Sequence, residues 1–149
     1  MQWWRLVLLA AVAAVAAALA ACTALRPGAG AEEEIRLPPA SENSAVLALL
    51  EQARFETDGG RATGAVATLE RALRIEPRNP QLWLELARHH LAQGDSMQAE
   101  QLAQRANGLA GSDKNMRAAG WQLIARARQA RGDAAGAEQA EAKVRELRR

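Results

Sequence analysis

The chain has a single cysteine and few aromatic residues, and both shortages limit what it can be. Its 149 residues include one cysteine, one phenylalanine, four tryptophans and no tyrosine. One cysteine excludes an intramolecular disulfide and any zinc site built from several cysteines. The formal net charge is only +2, and no aromatic stacking platform accompanies the arginines, so the composition does not indicate a nucleic-acid-binding protein.

The sequence also lacks the residue combinations that indicate catalysis. His89 and His90 are adjacent, so on a helix their side chains point to different sides and do not easily share one metal ion. There is no phosphate-binding glycine loop, and no serine or cysteine nucleophile with a plausible base. We therefore expect neither an enzyme nor a metal or cofactor site. Hydrophobic residues make up 49% of the chain, and many of them are alanine, which favours an all-α fold.

The first 22 residues carry the features of a lipoprotein export signal. Arg5 supplies a positive charge, and the thirteen residues from Leu6 to Ala18 are all apolar, as in the hydrophobic region of a signal peptide. The stretch Leu19-Ala20-Ala21-Cys22 then resembles a bacterial lipobox, whose cysteine is lipidated and becomes the new N-terminus. We expect residues 1–21 to be a lipoprotein signal peptide, and Cys22 to carry acyl chains such as palmitate that hold the protein on a membrane.

Two other interpretations of this region remain open. The stretch from Leu6 to Leu25 has about 20 apolar residues, which is enough for an uncleaved membrane anchor. An ordinary signal peptide would instead leave Cys22 as a free thiol. Thr23 stands where inner-membrane lipoproteins carry aspartate, which resembles the outer-membrane class and predicts a periplasm-facing location. Inner-membrane anchoring, also facing the periplasm, is the alternative.

Residues 22–43 are predicted to be the lipidated cysteine and a disordered tether. The segment contains Pro27, Pro38 and Pro39, an acidic stretch at Glu32–Glu34 and no apolar period, which indicates a linker. A flexible chain of this length has a root-mean-square reach of roughly 25 Å. The tether would let a membrane-anchored module stand away from the lipid.

The segment from Pro80 to Leu109 predicts two helices joined by Gly94 and Asp95. Apolar residues recur at helical spacing in both halves: Leu82, Trp83, Leu86, Ala87 and Leu91 in the first half, and Met97, Ala99, Leu102, Ala103 and Ala106 in the second. The same pattern occurs 34 residues earlier at Leu49, Ala53, Ala65, Ala72 and Ile75, and a weaker copy follows 38 residues later at Trp121, Ala125, Ala137, Val144 and Leu147.

A helix–turn–helix period of 34 residues is the signature of the tetratricopeptide repeat, and the chain resembles this family from residue 46 to about 149. The position where the family has an aromatic residue in the first helix holds Glu56, His90 and Arg128 instead. The resemblance implies an all-α, three-repeat α-solenoid of six antiparallel helices over residues 44–149. We predict helices at 44–57, 61–75, 79–93, 95–109, 115–131 and 133–148, with Trp83 and Trp121 in the core.

Glycine and aspartate should form the turns between the helices, because glycine adopts the left-handed cap and aspartate caps the next helix. Ser112 or Asp113 should cap the fifth helix. The last helix should be polar on its outer side, because the terminal repeat of a solenoid faces solvent; Ala137, Ala140, Val144 and Leu147 form its apolar stripe, and Glu141 lies outside it.

In tetratricopeptide repeats, the second, fifth, ninth and twelfth positions of the first helix face a concave groove. The resemblance therefore predicts a partner-binding groove formed by Leu47, Leu50, Arg54, Gln81, Leu84, Arg88, Leu91, Gln122 and Arg126. Arg54, Arg88 and Arg126 share the ninth position, and guanidinium groups suit carboxylates. The groove should bind an extended or helical segment, apolar near the leucines and acidic near the arginines. The alternative is coincidence, because 17 of the 19 basic residues are arginine.

These features predict an adaptor lipoprotein of the bacterial envelope that binds another envelope protein. The chain resembles tetratricopeptide-repeat lipoproteins that activate peptidoglycan synthases, and also those that assist assembly of a secretin or pilus. A structural or peptide-binding envelope lipoprotein is the remaining alternative. The sequence does not identify the partner or the oligomeric state.

Overall fold

The computed structural model describes Leu37 and residues 39–149, and this part contains six helices. They are α1 (Ser44–Asp58), α2 (Ala62–Ile75), α3 (Pro80–Ala92), α4 (Ser96–Leu109), α5 (Lys114–Ala130) and α6 (Ala134–Leu147). Every observed end lies within one residue of the predicted one, and the all-α prediction is confirmed. Cys22, the predicted signal peptide and most of the predicted tether lie outside the described residues.

Asparagine and aspartate side chains fix four of the six helix starts. The side-chain oxygens of Asn43, Asn79, Asp113 and Asp133 accept hydrogen bonds from backbone N–H groups in the first turns of α1, α3, α5 and α6. Asp113 is thus the cap of α5. Asp95 makes no such bond at α4; its Oδ2 lies 3.2 Å from Nδ1 of His90 instead. The turns inside the three repeats place Gly60, Gly94 and Gly132 at φ values of 71°, 83° and 79°, where other residues are strained.

Leucine and alanine form one core that runs through all three helix pairs. Helices α1 and α2, α3 and α4, and α5 and α6 pack as pairs, while α2 contacts α3, α4 contacts α5, and α3 also contacts α5. The largest fully buried side chains are Val46, Leu69, Leu82, Leu84 and Ile124. Alanine lets the helices approach closely, so the few large side chains fill the remaining space.

Trp83 and Trp121 pack against this core without being fully enclosed, so the prediction that they are core residues is only partly right. The indole Nε1 of Trp83 donates a hydrogen bond to the carbonyl of Pro77 at 2.9 Å. The guanidinium carbon of Arg105 lies 4.1 Å from the centre of the Trp83 ring. Trp83 therefore joins α3 to the preceding loop and to α4, with one face covered by a cation.

Polar side chains connect the helices at positions where the family has an aromatic residue. Glu56 accepts a 2.8 Å hydrogen bond from the hydroxyl of Thr68 on α2. Arg128 on α5 donates to the carboxylate of Glu100 on α4 at 2.8 Å and to the carbonyl of Gly136 on α6 at 3.1 Å. Hydrogen bonds thus replace the contacts of a large ring at two of these positions.

The last part of the predicted tether contacts the repeat domain. Leu37 and Ala40 pack against the core. The side-chain amide of Asn79 donates to the carbonyl of Ala40 at 2.6 Å, and the hydroxyl of Ser41 donates to Glu76 at 2.6 Å. Leu37, Ala40 and Ser41 thus contact the repeat domain, and the prediction that the tether is disordered up to residue 43 is wrong for these three residues.

The final helix ends the stack as expected for a terminal repeat. Ala137 and Ala140 are buried, Val144 and Leu147 are half-buried, and Glu141 is exposed. Within the described part of the chain, no helix is long and apolar enough to cross a membrane.

Candidate partner-binding surface

Two of the leucines predicted to line the groove are in the core. Leu50 is 5% exposed and Leu84 is 0% exposed, so neither presents an apolar surface to a partner. The physical reason is that the core has few large side chains, and each buried leucine contributes about 1.5–3 kcal/mol. Contact of α3 with α5 as well as α4 leaves the core side of α3 without access to solvent. The prediction of an open apolar groove floor at Leu50 and Leu84 is wrong.

The remaining predicted residues stay accessible and are mostly polar. Leu47 is 39% exposed, and Arg54, Arg88 and Arg126 are exposed. Gln81, Leu91 and Gln122 are half-buried. We call these seven residues the arginine surface. It offers hydrogen-bond donors and positive charge, with Leu47 and Leu91 as its apolar members.

The three arginines come from the first helix of each repeat. Arg54 lies on α1, Arg88 on α3 and Arg126 on α5. Nη1 of Arg88 lies 2.7 Å from Oε1 of Glu85 one turn earlier, so part of its charge is already balanced on the same helix. Because Arg88 is exposed and Glu85 is only half-buried, this pair contributes at most about 1 kcal/mol to stability.

The two histidines add no metal site. Burial lowers the pKa of His89 below its ordinary value, so this ring is neutral near pH 7. Nδ1 of His90 contacts Asp95. In the described part of the chain, no group of three or more histidine, cysteine, aspartate or glutamate side chains is arranged to hold a metal ion.

An open cleft of about 560 Å³ lies beside one end of the arginine surface. Its walls are the α2–α3 loop, the starts of α3 and α5, and the end of the tether; the lining residues are Pro39, Ala40, Glu76, Pro77, Arg78, Asn79, Pro80, Gln81, Asp113 and Met116. Gln81 belongs to both the cleft and the arginine surface. This cleft was not predicted from the sequence, although the spacing of Pro77 and Pro80 around Asn79 marks the loop that forms it.

A buried ion cluster, also missed from the sequence, joins the second and third repeats. The carboxylate of Glu100, a residue only 8% exposed, accepts hydrogen bonds from Arg128 at 2.8 Å and Arg131 at 2.5 Å. Burial raises the pKa of Glu100, but the hydrogen bonds from the two arginines lower it by a larger amount. The pKa of Glu100 is therefore below its ordinary value. The cluster fixes α5, which carries Gln122 and Arg126, against α4.

The chain matches known proteins both in sequence and in structure. The tetratricopeptide-repeat family model matches residues 57–120, whereas no curated protein matches. The globular C-terminal domain of LpoP from P. aeruginosa is 44% identical, with a TM-score of 0.68 over 70% of this chain and 99% of that chain.

More distant structures show the same fold. The second tetratricopeptide-repeat domain of Spaghetti (RPAP3), bound to the HSP90 peptide SRMEEVD, is 19% identical, with a TM-score of 0.60 over 70% of this chain and 93% of that one. The N-terminal domain of STI-1 from C. elegans is 16% identical, with a TM-score of 0.60 over 70% of this chain and 95% of that one. The chain therefore belongs to the tetratricopeptide-repeat family and, within it, is a relative of the LpoP globular domain.

Proposed function

We propose that the protein is a lipid-anchored adaptor of the bacterial outer membrane that binds and regulates a peptidoglycan synthase. Its repeat domain has a protein-interaction fold, and no catalytic role is assigned to it. The observation that carries the proposal is the 44% identity to the LpoP domain across 99% of that domain. The lipobox ending at Cys22 and the resemblance to lipoprotein activators of these synthases support the same assignment.

The arginine surface is the contact that we assign to the partner. Arg54, Arg88 and Arg126 occupy one position in three successive repeats, and all three are exposed. With Leu50 and Leu84 in the core, recognition depends on charge and on amide donors more than on apolar pockets. The partner segment is therefore acidic, and it pairs carboxylates with guanidinium groups, a geometry that favours two parallel hydrogen bonds.

Photo-crosslinking in intact cells of the producing bacterium tests this contact. The probe replaces Gln122, which is half-buried on α5 and lies one turn before Arg126. A triple variant with Arg54, Arg88 and Arg126 changed to glutamate removes the surface charge. A matched variant changes Arg71, Arg74 and Arg145 to glutamate: all three are exposed, so it alters net charge equally away from the arginine surface.

The expected result is one main adduct with a peptidoglycan synthase, lost in the first triple variant and kept in the matched one. An adduct with a secretin or pilus protein would replace the synthase assignment. If the probed protein is folded and correctly localised but gives no adduct, the arginine surface is not the binding site.

Membrane anchoring is tested separately through Cys22. Labelled palmitate should be incorporated into the parent, which should fractionate with the outer membrane and be accessible from the periplasm. Cys22→Ser should abolish labelling. A labelled Cys22→Ser variant would show that the lipid is attached elsewhere, and fractionation of the labelled parent with the inner membrane would reassign its location.

A further inference from the structure

Helix α1 has an exposed face that other proteins or other copies can reach. Phe55 is the only phenylalanine in the sequence, and it is 70% exposed, the largest exposed fraction among the large apolar residues of the described chain. Ala48 lies two turns before it on the same side of α1 and is also exposed. The guanidinium of Arg61 lies 5.2 Å from the Phe55 ring centre. We call Ala48, Glu51, Gln52 and Phe55 the end face.

The corresponding positions in the later repeats are covered by protein. Phe55 corresponds to His89, which is half-buried, and to Ala127, which is 0% exposed. Ala48 corresponds to Leu82, which is fully buried, and to Gly120. Gly120 lies so close to α4 that an added Cβ would be 2.0 Å from the side chain of Asn107. The face of α1 thus corresponds to a surface that packs on another helix in the rest of the stack, and a helix is the shape that fits it.

We propose that a second copy of this chain covers the end face, with the two α1 helices antiparallel about a two-fold axis between Glu51 and Gln52. In this arrangement Phe55 of each copy lies opposite Ala48 of the other. The reason is that Phe55 and Ala48 lie on opposite sides of the two-fold axis, each about 5 Å from it along the helix. A large ring faces a small side chain twice, which is the reciprocal pairing that a two-fold interface requires.

Charge at the two ends of the helix supports the same arrangement. Glu42, two residues before α1, and Arg61, three residues after it, are both exposed. The two-fold axis brings the end of α1 that carries Glu42 in one copy beside the end that carries Arg61 in the other, and it does so twice. Asp58 at the end of α1 approaches the start of the partner helix, where a negative charge is favoured by the helix dipole. A parallel pairing would instead place like residues, including both Phe55 rings, beside each other.

The test uses the full chain in cells, with a photo-crosslinking residue at Gln52, close to the proposed axis. Two differently tagged copies are produced together, and an adduct that carries both tags reports self-association through the end face. Phe55→Glu should reduce this adduct about tenfold or more, since it removes the apolar contact and adds one carboxylate from each copy to the two Glu51 carboxylates near the axis. Met97→Glu is the matched control, because Met97 is 62% exposed on α4 and lies outside the end face.

A charge exchange tests the antiparallel geometry. Glu42→Arg alone and Arg61→Glu alone should each weaken the adduct, since each places like charges opposite one another. The double variant restores opposite charges and should recover it. Circular dichroism of the purified variants establishes that each is folded, so that a lost adduct reports the contact.

The proposal is overturned if the parent gives no doubly tagged adduct from Gln52, if the adduct survives Phe55→Glu, or if the double variant fails to recover it. An adduct between Gln52 and a different protein would assign the end face to that protein instead. None of these results depends on the arginine surface or on the synthase assignment.

Discussion

Replacing Trp83 by alanine should destabilise the repeat domain strongly without abolishing folding. The side chain joins three parts of the molecule: it packs on the core from α3, donates to the carbonyl of Pro77 and lies beneath the guanidinium of Arg105 on α4. All three contacts are lost in Trp83→Ala. Because the side chain is only partly buried, the loss should be smaller than that for an enclosed tryptophan.

The magnitude follows from the separate contacts. Removal of a fully buried tryptophan costs about 3–5 kcal/mol, and partial burial reduces the packing loss to about 2 kcal/mol. The lost indole hydrogen bond adds about 1 kcal/mol, and the lost cation–π contact about 0.5 kcal/mol. The total is about 3–4 kcal/mol, out of a typical domain stability of about 5–15 kcal/mol. A domain of this size should melt about 15 °C or more below the parent.

Thermal and urea unfolding, followed by far-ultraviolet circular dichroism, measure this loss. Two variants separate the contributions. Trp83→Phe keeps a ring beneath Arg105 but loses the bond to Pro77, so it should cost about 1–2 kcal/mol. Arg105→Ala removes only the cation–π contact and should cost about 1 kcal/mol or less. If Trp83→Ala melts within a few degrees of Arg105→Ala, Trp83 does not join the helices in the way described.

Three further predictions concern the helix contacts. Glu100→Gln should lower the free energy of unfolding by about 2 kcal/mol. Because the pKa of Glu100 is lowered in the folded protein, its contribution to stability is present above the unfolded pKa and is lost as the pH falls through the folded pKa. The difference in stability between parent and variant, measured by urea titration, should therefore disappear in acid; a difference that persists in acid would contradict this role of the cluster. Gly120→Ala should lower the free energy of unfolding by about 1–3 kcal/mol. The double variant with Asn107→Ala should be less destabilised, because it lacks the amide that clashes with the new methyl group; equal losses of stability in the single and double variants would contradict this. Gly132→Ala should cost about 1 kcal/mol, because the residue has a φ of 79° that alanine tolerates poorly; an unchanged urea midpoint would contradict it.

The helices could be predicted from the sequence because their signals are local. Glycine and aspartate occur in the turns between the helices of an alanine-rich, 34-residue repeat, and each helix end depends on a few neighbouring residues. The contact of Ala40 and Ser41 with the repeat domain was harder to predict, because these residues are held by Asn79 and Glu76, which lie more than thirty positions later. No local pattern reports such a contact.

The interaction surface was predictable only in part, because burial depends on packing between repeats. Arg54, Arg88 and Arg126 are exposed as the repeat position implies, while Leu84 at another groove position is fully buried. The repeat pattern gives the direction of a side chain relative to its own helix. It does not give the closeness of α3 to α5, which decides whether solvent reaches Leu84.

The arginine surface and the end face are separable because they lie on different sides of α1. Arg54 and Phe55 are consecutive residues, and consecutive side chains on a helix point about 100° apart. A second copy docked over Phe55 therefore leaves Arg54 at the edge of the contact, where it stays available to an acidic partner. Arg54→Glu should weaken capture of the partner and leave the self-adduct from Gln52 unchanged, whereas Phe55→Glu should do the reverse. If either variant abolished both adducts while remaining folded, the two surfaces would be one site.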